Sequence, residues 1–562
     1  MAQLASYMRH HPPRINVNLI VWRRKRFEIA PLPGRNQIKT RVLLGDKNSG
    51  QHFLLSYVVL ADYTRIIFLC KYNLMTYIWG MEIKYKFKTT PFKHQADVLK
   101  VSWDKTNWAY FLEMGTGKSK VAIDNAGILF ERDLIDTLIV VAPKGVYRNW
   151  ANLEIPAHLP DRIKRNVVVW KASPSKSQKE ELRALLLPSE SLRVLVMNVE
   201  ALSRPGIGRR YLGELLGSSE ALLAVDESTA IKSPKAKRTK SLIKLAALAK
   251  YRRILTGFPV TQSPMDLWAQ CRFLDKSLLG DCGDNYHKFE WRYAIIKPRS
   301  VGTHSFNDIV GYKNLDQLSE LLKGFSSRIT KDECLDLPSK IYTQRNVAMT
   351  DEQRRVYSDL KEYALAHLED DQFMTTPNVM TQLLRMQQVL SGHTKSDEGV
   401  MIEIADNRLK ELLECLEEIN GKAIIWSRFR YDVQRITKAL QKEHGPRSTV
   451  SYYGDTSDED RTTAIEKFQN GEARFFVGNP QTGGYGITLT AANTVIYFSN
   501  SFDLAVRMQS EDRAHRIGQT DHVTYIDMIS EGTIDERIVK ALRTKMDIAS
   551  VVMGEQLREW IQ

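Results

Sequence analysis

The sequence predicts an α/β protein with two doubly wound parallel sheets and helical insertions between them. Three observations carry this. Short apolar runs alternate with helical segments from about residue 81 to 285, and the same alternation returns from about 406 to 545. A glycine-rich turn, Gly115-Thr116-Gly117-Lys118-Ser119, joins an apolar run to a helical one in the first half only. Apolar runs of four to eight residues without strict alternation suit strands covered on both faces, and strand-helix alternation suits a parallel sheet.

In the first half the predicted strands are Thr137–Ala142, Val167–Trp170, Leu192–Met197, Leu222–Val225 and Arg253–Leu255, and Trp108–Phe111 is a short apolar run before the glycine-rich turn. Lys120–Phe130, Lys179–Leu187 and Thr239–Ala249 read as helices. Ligands of such sheets bind at the carboxyl ends of the strands, and the chemistry-bearing motifs fall there. Gly115 and Gly117 let backbone N–H groups turn inward around a phosphate, and the next helix offers its N-terminus to the same anion. Lys118 can reach terminal phosphates and Ser119 can hold Mg²⁺. The strict phosphate-loop pattern has Gly six residues before its Lys, where this chain has Leu112. Asp226-Glu227 ends a strand: Asp226 can hold Mg²⁺ and Glu227 can orient or deprotonate water. Leu255-Thr256-Gly257-Phe258-Pro259 ends the next, where the Thr256 hydroxyl can sense the carboxylates.

Residues 286–405 are expected to be helical insertions and an inter-lobe linker. The aromatics Trp268, Phe273, Tyr286, Phe289, Trp291 and Tyr293 read as core, Lys297–His304 as a basic Gly/Ser loop, and Glu352–Leu368 and Thr381–Leu390 as helices. In the second half, Ala423–Trp426, Thr449–Tyr453, Arg474–Val477, Thr494–Phe498 and Val523–Ile529 read as strands. Two sheets with one nucleotide loop imply ATP bound between lobes, so the second lobe must supply positive charge. Arg513 and Arg516 fit, three apart, on one face of an expected helix. Residues 546–562 are expected to form a C-terminal helix.

Composition narrows the class. The net charge is +14, from 80 basic and 66 acidic side chains. Residues 1–80 hold 12 basic and 3 acidic, a net of +9, and the other 482 a net of +5, so any DNA contact in the body comes from local patches. Five cysteines, Cys70, Cys271, Cys282, Cys334 and Cys415, form no CxxC pair, which argues against zinc and for reduced thiols. The window Phe53–Cys70 contains Asp62 and Arg65 and is too broken to span a membrane. Residues 1–80, with Arg23-Arg24-Lys25-Arg26 and the β-rich pieces Phe53–Leu60 and Ile66–Cys70, leave three options: a basic accessory domain, a disordered DNA-binding arm, or a non-native extension. The working expectation is a biological start at Met81.

Together these residues resemble the Swi/Snf-type helicase-like ATPases of superfamily 2, over about residues 90–545 and in the family's motif order. The carriers are Phe92 and Gln95, Glu113–Ser119, Val141-Ala142-Pro143-Lys144 through Trp150, Asp226-Glu227, Leu255-Thr256-Gly257, Ser326 to Pro338 with Arg328 and Lys331, Ala423–Phe429, Gly483–Gly486 with Leu489–Ala492, and Asp512–Gln519. The last is the most specific. Thr229, Phe258 and Thr488 depart from the usual His, Thr and Asn, which bears on coupling to DNA more than on hydrolysis.

The resemblance implies two RecA-like lobes and a DNA-dependent ATPase that uses ATP and Mg²⁺. It implies catalytic roles for Lys118, Asp226, Glu227, Gln509, Arg513 and Arg516. Nucleotide contacts would be Phe92, Gln95, Met114, Gly115, Thr116, Gly117, Lys118, Ser119 and Gly486, with Ser119 and Asp226 at the metal. Lys144, Arg148, Asn149, Ser427, Arg428, Thr482 and Gly483 would track double-stranded DNA. The implied activity is translocation on duplex DNA that remodels DNA or protein–DNA complexes. The alternatives are an unwinding or annealing helicase on forked DNA, and an ATP-gated DNA-binding scaffold with little turnover. The sequence carries no nuclease motif or repeat array; a monomeric, cytoplasmic motor of phage or prokaryotic type, acting on DNA-bound proteins, is the expectation.

Overall fold

The computed structural model describes residues 29–30, 38–45, 52–59, 85–204, 206–301, 304–369, 376–396, 399–456, 458–483 and 487–553. It divides into two units, Met1–Lys84 and Tyr85–Gln562. In the first, strands β1 (Ile29–Ala30), β2 (Ile38–Gly45) and β3 (His52–Val59) pair antiparallel in that order. The expected start at Met81 and the apolar piece Ile66–Cys70 lie outside the described residues.

The second unit holds two parallel sheets. The first comprises β4 (Asn107–Leu112), β5 (Thr137–Ala142), β6 (Arg165–Val169), β7 (Leu192–Asn198), β8 (Ala221–Asp226), β9 (Tyr251–Leu255) and, beyond a hairpin of β10 (Ala294–Val301) and β11 (His304–Tyr312), β12 (Ser326–Ile329). Its order is β12-β4-β9-β8-β5-β7-β6, every pair parallel. All residues of β5 and β8 are buried. Apolar runs of this kind are stable only when helices cover both faces, each Val, Leu or Ile then contributing about 1.5–3 kcal/mol.

The second sheet holds β13 (Lys340–Asn346) and, beyond the small antiparallel pair β14 (His393–Lys395) and β15 (Met401–Glu403), β16 (Lys422–Trp426), β17 (Thr449–Tyr452), β18 (Phe475–Gly478), β19 (Ala492–Tyr497) and β20 (Val523–Ile529). The order is β13-β20-β19-β16-β18-β17, all parallel. Alternate residues feed two cores, as the two-residue period of a strand requires. Ile425, Phe475, Val477 and Ile496 join one cluster, whereas Ile424, Trp426, Phe476 and Val495 join the other.

The stretch expected to be helical insertions differs. Helices Asp351–Glu369 and Thr376–Leu390 are present, but β12 and β13 complete the two sheets from the same region. The expected Gly/Ser loop Lys297–His304 lies instead in the β10–β11 hairpin. Its Ile and Val residues supply strand-forming side chains that loop-like Gly and Ser obscure. Trp268, Phe273, Phe289 and Tyr293 are core and Tyr286 packs partly buried against it, but Trp291 is 73% exposed. The C-terminal helix runs Ile534–Met553, twelve residues earlier than the expected start at 546. Its Ile534, Ile538 and Leu542 pack with Leu504 and Met508, whereas Val552 is buried in the core of the first sheet. One apolar stripe thus bridges both lobes. No helix among the described residues is long and apolar enough to cross a membrane.

Candidate nucleotide site between the lobes

Strands β4, β9 and β8 lie side by side, with Asp226 in register with Leu255 and Leu255 with Tyr110. Their carboxyl ends deliver the glycine-rich loop, the Thr256–Gly257 turn and the carboxylate pair to one place. Gly115 and Gly117 have φ of +83° and +90°, left-handed conformations that favour glycine. A Cβ on Gly117 would stand 2.1 Å from Gln95 Nε2, which itself donates to Thr116 O at 3.0 Å. Gln95 Oε1 accepts from the Phe92 N–H, and Phe92 is 56% exposed at the rim. Gly257 has a different reason to be glycine. A Cβ there would meet Met114 N at 3.2 Å and Glu113 Cα at 3.3 Å. The turn after β9 therefore packs backbone to backbone on the loop. The Thr256 hydroxyl, expected to sense the carboxylates, accepts from the Phe258 N–H.

Gly117 caps the helix Lys118–Phe130, which places Lys118 and Ser119 in its first turn, Lys118 buried and Ser119 half-buried. Asp226 Oδ2 accepts from Trp150 Nε1 at 2.8 Å, and Oδ1 accepts from the Glu227 N–H at 3.0 Å. Trp150, the last residue of the segment from Val141 that carries part of the resemblance, is thus a buried support of the carboxylate pair. Glu227 has φ of +46°, unusual for a residue with a side chain and typical of strain held at a functional site. Burial raises the Asp226 carboxyl above its ordinary range, and the Lys118 charge pulls it back. Burial pushes Glu227 up to about 7, again against Lys118. A carboxyl poised there can take a proton from water near neutrality.

The second lobe completes the site. Arg513 Nη2 lies 3.8 Å from Met114 Sδ, and the position a Cβ would take on Gly115 is 3.9 Å from Arg516 Cβ. The arginines are not on the expected helix, which ends at Glu511; they lie in the turns that follow. The turns bring them to one acceptor: Arg513 Nη1 and Arg516 Nη1 both donate to Ile487 O, at 3.1 and 3.2 Å. Gln509 is buried, and its carbonyl accepts from Arg513 Nε at 3.0 Å. Burial and the neighbouring Arg516 push Arg513 down to about 10.

Two side chains beside the site have surroundings that their sequence positions did not show. Glu154 ends a π-helical turn that starts at Trp150; burial and Asp226 push its carboxyl up, while Arg516 and Lys118 pull it down. Nothing in its local sequence marks it. Glu113 accepts from Arg328 Nη2 at 3.2 Å and from the Lys331 N–H at 2.9 Å. Gly486 lies outside the described residues.

The expected DNA contacts separate. Lys144 and Arg148 are exposed, and Asn149 and Thr482 half-buried; Gly483 ends the helical turn Pro480–Gly483. Ser427 is buried, and its hydroxyl donates to Asp432 Oδ2 at 2.8 Å, so its one proton is committed inside the lobe. The Arg428 guanidinium donates to Gln387 Oε1. A strand end as apolar as Ala423–Trp426 buries what directly follows it, which is why Ser427 sits inside while Arg428, one residue on, is half-buried.

Residues 45–395 match the SNF2-related domain, and residues 405–518 match the helicase conserved C-terminal domain. Among curated relatives, YwqA of Bacillus subtilis (strain 168) is 27% identical over 436 residues, covering 75% of this chain and 44% of that protein. An uncharacterized ATP-dependent helicase of Mycoplasma pneumoniae is 28% identical, covering 60% and 31%. The TATA-binding protein-associated factor MOT1 of Saccharomyces cerevisiae is 25% identical, covering 84% and 28%. The chain thus spans less than half the length of these relatives. Among solved structures, the Sulfolobus solfataricus SWI2/SNF2 ATPase core in complex with dsDNA is 24% identical, covers 84% of this chain and 95% of that one, and superposes with a TM-score of 0.37.

Proposed function

This chain belongs to the SNF2-related family of helicase-like ATPases, and from that premise we propose that it is an ATP-driven motor that moves along double-stranded DNA and remodels what is bound there. The observation that supports this best is the composite site: a phosphate loop on one lobe faces Arg513 and Arg516 of the other. A nucleotide held there touches both lobes, so its arrival and hydrolysis change the energy of lobe closure.

In this reading the loop N–H groups and Lys118 hold the terminal phosphates. Gln95 and Phe92 hold the base side of the nucleotide. Glu227 orients water and accepts its proton, with burial setting its basicity. Arg513 and Arg516 stabilise the charge that develops on the transferred phosphoryl group. The donors at the site suit Mg²⁺: the buried Asp226 carboxylate gains from a cation, and Mg²⁺ takes one or two protein oxygens, leaving the rest to phosphate and water. Ser119 and Asp226 would hold it, and it would neutralise phosphate charge. Lys144 and Arg148 are the exposed cations best placed to track a DNA backbone without reading bases.

Steady-state ATPase assays test the reading. Duplex DNA is expected to raise turnover by about tenfold or more, with RNA and no nucleic acid well below it, and added salt to weaken the stimulation steeply. Equal turnover with RNA overturns the duplex-DNA reading, and absence of turnover under every condition overturns the motor.

A further inference from the structure

Lys331 lies just past β12, where the chain leaves the first sheet for the second. Its backbone is tied to the phosphate loop: the Lys331 N–H donates to Glu113 Oε2 at 2.9 Å. Arg328, three residues earlier, pairs with the other Glu113 oxygen at 3.2 Å. Its Nη1 also donates to Phe111 O at 3.1 Å and to Gly257 O at 2.9 Å. The end of β4, the turn after β9 and the exit of β12 therefore form one frame on the first lobe.

From that frame the Lys331 ammonium reaches the second lobe. It donates to Asp512 Oδ1 and to His515 O, both at 2.6 Å. Asp512 is the residue before Arg513, and His515 is the residue before Arg516. One ammonium thus grips the chain immediately ahead of each arginine. Lys331 and Asp512 are only 3% and 4% exposed. Taking both charges out of water is costly unless the geometry is good, and removing one partner strands the other. Such a pair is poor value as mere glue, but it fixes register where a hydrophobic contact would slide.

We propose that Lys331 is a positioning residue for both arginines: through Asp512 and His515 it holds Arg513 and Arg516 in register with the phosphate loop when the lobes are closed. The inference rests on the motor reading above and names the device that joins its two halves. The Lys331 ammonium is committed to Asp512 and His515, and it acts through what it holds.

The test is a double-mutant cycle of Lys331→Met and Arg513→Ala in the full chain, measuring duplex-DNA-stimulated kcat and the affinity for a fluorescent ATP analogue. Lys331→Met is expected to lower kcat by about 10²-fold, the cost of a misplacement of about 1 Å, while analogue affinity stays within about threefold because the loop is intact. Arg513→Ala should then cost far less in the Lys331→Met background than in the wild-type chain, since a group already misplaced has little left to lose. A Lys331→Met enzyme with wild-type kcat overturns the proposal, as does an Arg513→Ala factor that is the same in both backgrounds. Where thermal melting shows Lys331→Met to be unfolded, Asp512→Asn, which keeps the side-chain volume, enters the cycle with the same two readings. The outcomes separate the two claims. Full activity of Lys331→Met beside a dead Arg513→Ala overturns the positioning role alone, whereas an inactive wild-type chain overturns the motor reading and this inference together.

Discussion

Replacing Lys118 with alanine is expected to lower ATP turnover on the order of 10³-fold or more, with the fold retained. Two separate losses combine. The first is direct: Lys118 stands in the first turn of the helix Lys118–Phe130, behind two glycines whose left-handed φ turns the loop around the place a phosphate would take. The second acts through the carboxylates. Lys118 is the largest influence holding the Asp226 and Glu227 carboxyls down against burial. Without it both rise further, so fewer molecules carry Glu227 in the ionised form that accepts a proton. The fold survives for the same reason, because carboxyls that lose a buried cation can take up protons rather than stay charged and unpaired. Steady-state phosphate release, read beside circular dichroism and melting, checks the expectation. Turnover near the wild-type rate in a folded variant refutes the assignment of this loop as the phosphate site.

The sheet strands were legible because parallel strands under helices are written as short apolar runs, too short for helices and bounded by turn residues. Thr137–Ala142 is observed as expected, and Leu222–Val225 lengthens by one residue at each end, the added Asp226 being one of the site's carboxylates. The edge strand β13 was not legible. It is half exposed, its sequence Lys-Ile-Tyr-Thr-Gln-Arg-Asn mixes polar and apolar residues, and only its pairing with β20 makes it a strand. At the site, residues set by local backbone chemistry could be read: glycines that must turn, and carboxylates at a strand end. What depends on distant partners could not. Glu113 looks like an ordinary charged residue before a glycine loop, yet its two oxygens are held by Arg328 and Lys331, more than 200 residues away in the chain. Ser427 and Arg428 show the same dependence on distant partners: their types suit DNA, and the structure adds that the Ser427 hydroxyl donates to Asp432 and the Arg428 guanidinium to Gln387.

Arg513→Ala is expected to lower kcat by about 10³- to 10⁵-fold while leaving nucleotide affinity much less affected. Arg513 is 6% exposed and shares the Ile487 carbonyl with the half-buried Arg516, so two cations stand together partly out of water. Burial and the adjacent Arg516 both oppose its charge, and Asp512 and Glu227 only partly offset them. An arrangement that holds two guanidiniums side by side is unfavourable until an anion arrives between the lobes. It is most favourable when that anion carries its greatest spread of negative charge, as in the transition state of phosphoryl transfer. The loop supplies its own binding groups for ground-state phosphates, so the loss falls on kcat rather than on affinity. Arg513→Lys should recover little, because an ammonium cannot reproduce the planar fork that meets Ile487 O and the loop at once. The measurement is single-turnover hydrolysis with duplex DNA, beside equilibrium binding of a non-hydrolysable nucleotide. If Arg513→Ala weakens binding as much as it slows hydrolysis, Arg513 contributes uniform binding, and the second lobe serves to hold ATP rather than to act on it.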